Sequence, residues 1–202
     1  MSLKVAVNGA LTAITALPTA AALTDGNLTL LTTATASSSA TLTFDSNINS
    51  TYNSYLFKFY NIYPATDDTN FQVGFRDGGT DYDATKTTTY FRSIHNESGS
   101  STELAYEAAN DLAQSTGFKT LSDDIGADAD QNLNGTLTLF KPSSTTFVKH
   151  FMSTTQSVIN YPETRQTFCA GYVNTTTALT RIRFKFNSGN IDSGTIKMYG
   201  VS

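Results

Sequence analysis

The chain has 202 residues, enough for one large β-sandwich, with or without a short attachment arm, and too few for two comfortable domains. Charged residues are only 15% of it and the net charge is −4, so nothing electrostatic recommends nucleic acid or an anionic membrane as a partner. A single cysteine, Cys169, excludes an internal disulfide, so the fold must stand on packing.

From about Leu3 to Asp25 the sequence is rich in Ala, Thr and Leu, and Pro18 stops any helix begun near Ala10. Asn8, Gly9 and Pro18 interrupt it before a signal-peptide core or a membrane span can form. Residues 1–26 therefore read as an arm, and residues 27–202 as the sandwich domain. Leu11, Ile14, Leu17 and Leu23 have too few local partners to be buried within the arm. Either a neighbouring subunit receives them or the arm folds back on its own sandwich.

Asp25-Gly26-Asn27 is a turn signal, and short strands follow it at Leu28 to Ala34, Ala40 to Phe44, Tyr55 to Tyr63 and Phe71 to Arg76. Thr, 10 Tyr and 13 Phe suit a pleated, half-buried surface. In the third strand Tyr55, Phe57 and Phe59 share one face, while Leu56, Lys58, Tyr60 and Ile62 share the other. After the tight turn at Asp77-Gly78-Gly79, Lys86 to His95 alternates as a further strand. Glu103 to Gln114 is the one helical window, with Leu104, Ala108 and Leu112 four apart and Thr102 as N-cap. Asp123 to Asn132 reads as an acidic loop. Strands resume at Gly135 to Phe140, Thr146 to Met152, Arg165 to Val173, Leu179 to Phe186 and Ser193 to Val201. Nine or ten such strands predict two packed antiparallel sheets, jelly-roll or immunoglobulin-like, with the length favouring the jelly roll.

Chemistry is sparse. Asp123, Asp124, Asp128, Asp130 and Asn132 supply hard oxygens of the kind calcium needs. Asp128, Asp130 and Asn132 match the first three ligand positions of a calcium loop, but Leu133 stands where its glycine belongs and Leu139 where its bidentate Glu belongs. A solvated loop is the simpler reading. His95 and His150 have no partner at a metal-ligand spacing. Cys169 has no nearby histidine to activate it and reads as a small buried thiol. Glu97, Glu103, Glu107 and Glu163 show no setting that would pair carboxylates for glycoside hydrolysis. Neither a catalytic residue nor a cofactor is expected.

Three stretches, Thr33 to Asp67, Phe140 to Ser153 and the ending RIRFKFNSGNIDSGTIKMYGVS, resemble small structural proteins of tailed bacteriophages of marine bacteria and cyanobacteria. The resemblance covers most of the chain from about Leu28 and is most specific in its ending. It implies a β-sandwich virion component, placed as a capsid decoration, a head fibre or part of the tail and its fibres. The expected partners are capsid or tail subunits and further copies of the chain, a trimer being favoured. A rival reading is an adhesin that stacks host-surface glycans on Tyr52, Tyr82, Tyr106 and Tyr161, all in or near the expected loops or helix.

Overall fold

The computed structural model describes residues 28–202, so the arm and its Leu11, Ile14, Leu17 and Leu23 lie outside the described residues. Twelve strands follow in order: β1 Leu28–Thr35, β2 Leu42–Phe44, β3 Ser54–Pro64, β4 Thr69–Arg76, β5 Lys86–Asn96 and β6 Thr102–Tyr106, then β7 Lys119–Ile125, β8 Leu133–Phe140, β9 Lys149–Val158, β10 Glu163–Val173, β11 Arg181–Phe186 and β12 Ile191–Val201. All pairings are antiparallel.

One sheet has eight strands in the order β1-β12-β3-β8-β9-β10-β5-β6, and the other has four, β2-β11-β4-β7. Without β5, β6, β9 and β10, two four-stranded sheets remain, β1-β12-β3-β8 and β2-β11-β4-β7. Their chain order crosses between the sheets as the two Greek keys of a jelly roll do. The remaining four strands arrive as two hairpins, β5–β6 between β4 and β7 and β9–β10 between β8 and β11. Both extend the same sheet past its β8 edge. The expected all-β sandwich is present, enlarged on one side.

Alternation explains which residues fill it. In β11 the sequence RIRFKF buries Ile182, Phe184 and Phe186 and leaves the cations half-buried. Phe184 stacks on Phe71 at 5.8 Å and meets Phe44, Phe57 and Phe59 edge-on or tilted, forming an aromatic centre between β3, β4 and β11. Toward the added hairpins the inward positions turn polar: Ser153, Thr155 and Ser157 on β9, and Arg165 and Thr167 on β10, are buried. Thr155 donates to the Leu121 carbonyl at 3.1 Å, and the Ser122 and Ser157 hydroxyls lie 3.1 Å apart, so these groups are satisfied across the sheets.

Several sequence expectations need correction. The helical window is the edge strand β6 followed by one 3-10 turn, Ala108–Asn110. Pairing with β5 from Phe91↔Tyr106 to His95↔Thr102 overrides its propensity. The supposed acidic loop begins as strand β7, which carries Asp123 and Asp124. In β3 the parity holds through Tyr60 and then shifts. A bulge at Asn61, with φ 49°, turns Ile62 into the core. Opposite it Gly194 has φ 121°, and a Cβ there would lie 2.6 Å from the Asn61 carbonyl oxygen, so only glycine fits.

Candidate functional site

The large sheet runs four strands past β8, and in this overhang β9 and β10 pack on β7, the last strand of the four-stranded sheet. Two features follow from that overhang: a buried charge cluster on its inner side and an apolar face on its outer side.

Tyr90 and Arg92 of β5 and Arg165 of β10 point inward and meet Asp123 of β7. The Tyr90 hydroxyl donates to Asp123 Oδ1 at 2.6 Å, Arg92 Nη1 to Oδ2 at 2.9 Å, and Arg165 Nη1 lies 2.9 Å from Oδ1. Asp124 adds an oxygen 2.8 Å from Arg165, Glu107 one 3.0 Å from Arg92 and Glu163 one 3.3 Å from Arg165. Burial alone would raise the Asp123 carboxyl; the Tyr90 hydroxyl and the guanidinium groups of Arg165 and Arg92 outweigh it and hold the carboxyl below its ordinary range. Burial first, and then the Asp123 charge, push the Tyr90 phenol far up. The cluster is thus a fixed carboxylate with protonated neighbours. It locks β7 to β5 and β10.

Three lysines are also wholly buried, each with its ammonium on a backbone carbonyl: Lys86 on Ala84 at 2.6 Å, Lys119 on Asn110 at 2.5 Å and Lys149 on Thr175 at 2.9 Å. Burial lowers Lys86 to about 8, against the opposing pull of Asp83 and Asp77. Cys169 points inward from β10, and burial pushes its thiol up to about 12. It is a buried protonated thiol, without the thiolate that nucleophilic chemistry needs.

The residues expected to form sites are scattered. Asp128 and Asp130 are exposed on the turn before β8, while the Asn132 side-chain oxygen accepts from Asn134 at 2.8 Å. Asp123 and Asp124 face Arg165 instead of joining them. Among the described residues no three His, Cys, Asp or Glu side chains come together as a metal site. Among the tyrosines, Tyr82 is only 6% exposed beneath the Arg183 guanidinium, 3.9 Å above its ring. Tyr52 is half-buried, its ring 6.0 Å from that of Tyr55 and packed over Gly200. Neither is free to stack a sugar. Tyr106 and Tyr161 are exposed, but on β6 and on the loop between β9 and β10, and the Tyr106 hydroxyl bonds Asp111. His95 and His150 are exposed on the outer face of the large sheet.

That outer face is the larger feature. Thr154, Phe168, Phe91 and Tyr106 stand side by side on β9, β10, β5 and β6, the two phenylalanine rings stacked at 4.9 Å. Below them Met152, Ala170 and Thr89 form the next outward row, and His150, Tyr172 and Thr87 the one after. The small Ala170 leaves a hollow of about 460 Å³ walled by Phe140, His150, Met152 and Tyr172. It shares Phe140 and His150 with a second hollow of about 830 Å³ beneath the loop that carries Phe147. Met152 is 59% exposed and Phe147 73%. Large apolar side chains so grouped are uncommon on the free surface of a monomer.

No family model, curated protein or solved structure matches this chain.

Proposed function

We propose that the chain is a structural component exposed on a bacteriophage particle, a capsid decoration or a part of the tail or its fibres, that acts by assembly without catalysis. The observation that carries this reading is the apolar outer face of the enlarged sheet, which residues 28–202 leave uncovered. The jelly-roll strand order adds weight by analogy, because that architecture is used for viral shells, although the same fold also serves lectins and small-molecule enzymes. The low share of charged residues, 15%, and the resemblance of the ending to phage structural proteins point the same way. Further copies of the chain and neighbouring particle subunits are the partners, with a trimer favoured.

The test is immunogold electron microscopy, with antibodies to residues 28–202, of particles purified from the source that encodes the chain. Gold on intact particle surfaces supports the reading, and particles free of the chain by both gold and mass spectrometry overturn it. The adhesin alternative keeps one specific support, the outward row of half-buried Phe168 with exposed Phe91 and Tyr106, flanked by Thr154. A glycan array probed with the purified chain is expected to give no binder on the assembly reading.

A further inference from the structure

The apolar hollow lies in line with the point where the chain enters the sheet. Leu28, the first described residue, pairs with Val201, Val201 with Ser54 and Ser54 with Phe140. Leu139 pairs with Phe151, which sets Phe140 beside His150, and His150 pairs with Tyr172. One row therefore runs across the outer face from the start of β1 to the walls of the hollow. At about 4.8 Å per strand, Phe140 is roughly 14 Å from Leu28 and Tyr172 roughly 24 Å.

The chain that precedes Leu28 has the reach and the side chains to fill that row. At about 3.3 Å per extended residue, the eleven residues from Leu17 span roughly 36 Å, which reaches Tyr172 even with a turn taken up by residues 24–27. Thr24-Asp25-Gly26-Asn27, immediately before β1, is the composition that turns a chain. From Leu17 to Leu23 the only residues are Leu, Pro, Thr and Ala, with no charge to desolvate.

We infer that residues 17–23 seat across the outer face of their own sheet, with Leu17 in the hollow between Met152, Ala170 and Tyr172. A tether this short holds the segment at an effective concentration of order millimolar, far above that of a second copy in dilute solution, and the shared row sets no geometric barrier. The segment then shields in the free chain the face that would otherwise self-associate. Residues 1–16 are left for contact with another subunit. The inference stands whether or not the chain is a particle component.

Met152 reports the result, because a thioether is oxidised by peroxide in proportion to its access to solvent. Full-length protein, the chain lacking residues 1–26 and a full-length Leu17→Glu, Leu23→Glu variant are compared by peptide mass spectrometry, with buried Met198 as the internal control. The expected result is oxidation of Met152 several-fold slower in the full-length protein than in the other two, at every dilution. Equal rates in all three overturn the inference. Protection that fades on dilution overturns it in favour of a neighbour's segment, and protection that persists without residues 1–26 assigns the face to a second copy.

Discussion

Asp123 shows how one side chain can hold two strands of an added hairpin pair to the sheet across from them. Its carboxylate is shared by Tyr90, Arg92 and Arg165, all from the overhanging part of the large sheet. Removing the charge takes one carboxylate from buried Arg165 and half-buried Arg92, which keep Asp124, Glu163 and Glu107, so Asp123→Asn is expected to cost about 2 kcal/mol at pH 7 in urea unfolding. The folded carboxyl titrates below its ordinary value of 3.8, so its stabilisation is complete above that value and is lost as the pH falls through the folded pKa. The wild-type advantage over Asp123→Asn therefore shrinks below about pH 4. Lys86 behaves oppositely. The folded group loses its proton near 8 and the unfolded one near 10.5, so between these values the unfolded chain binds more protons and stability rises with pH. Relative to Lys86→Met, the wild type should gain up to about 3 kcal/mol from pH 8 to 10.5 and show no differential slope from pH 6 to 7.5. A flat difference across that alkaline window would mean that Lys86 keeps its charge in the fold. These buried ions were legible only as an oddity of phase: Arg92 shares a strand face with Tyr90, and Arg165 with Thr167 and Cys169, in strands whose charges would ordinarily face water.

The strands of the central sandwich were readable because Tyr55-Phe57-Phe59 and Ile182-Phe184-Phe186 alternate cleanly between apolar and polar. In the overhang β5 and β10 were read within two residues of their bounds, while β9 was placed too early and β6 was missed. Among the inward positions there Ser, Thr, Lys and Arg outnumber apolar residues such as Tyr90, Phe151 and Cys169, so period two carries little hydrophobic contrast, and β6 read as a helix because Leu104, Ala108 and Leu112 happen to be four apart. The bulge in β3 was also hidden, since Asn61 turns the chain without a glycine of its own and the glycine it requires is Gly194, on the neighbouring strand. Gly194→Ala tests this. A methyl group 2.6 Å from the Asn61 oxygen, on a residue with φ 121°, should cost about 2 to 4 kcal/mol in chemical denaturation. A cost near zero would show that the two strands can slide apart locally without losing the register that buries Ile62.

The whole molecule is closed by its last strand. β12 lies between β1 and β3, so the first strand has no partner in the large sheet until residues 191–201 have arrived. Ile191, Ile196 and Met198 of that strand are fully buried against the aromatic centre. A chain ending at Asn190 would expose that centre along β3 and release β1 altogether. Such a truncation is expected to show no cooperative thermal transition by circular dichroism, while the chain lacking residues 1–26 keeps one transition with every strand pairing intact. Pairing the two ends of the sequence also makes native contacts mostly non-local, so refolding of residues 28–202 from denaturant should take milliseconds to seconds, as in other sandwiches of high contact order. Microsecond refolding would mean that the central hairpins form a stable core without β12, and the truncated chain would then retain its transition. The two measurements therefore rise or fall together, because both depend on whether the jelly roll exists before its eighth strand is in place.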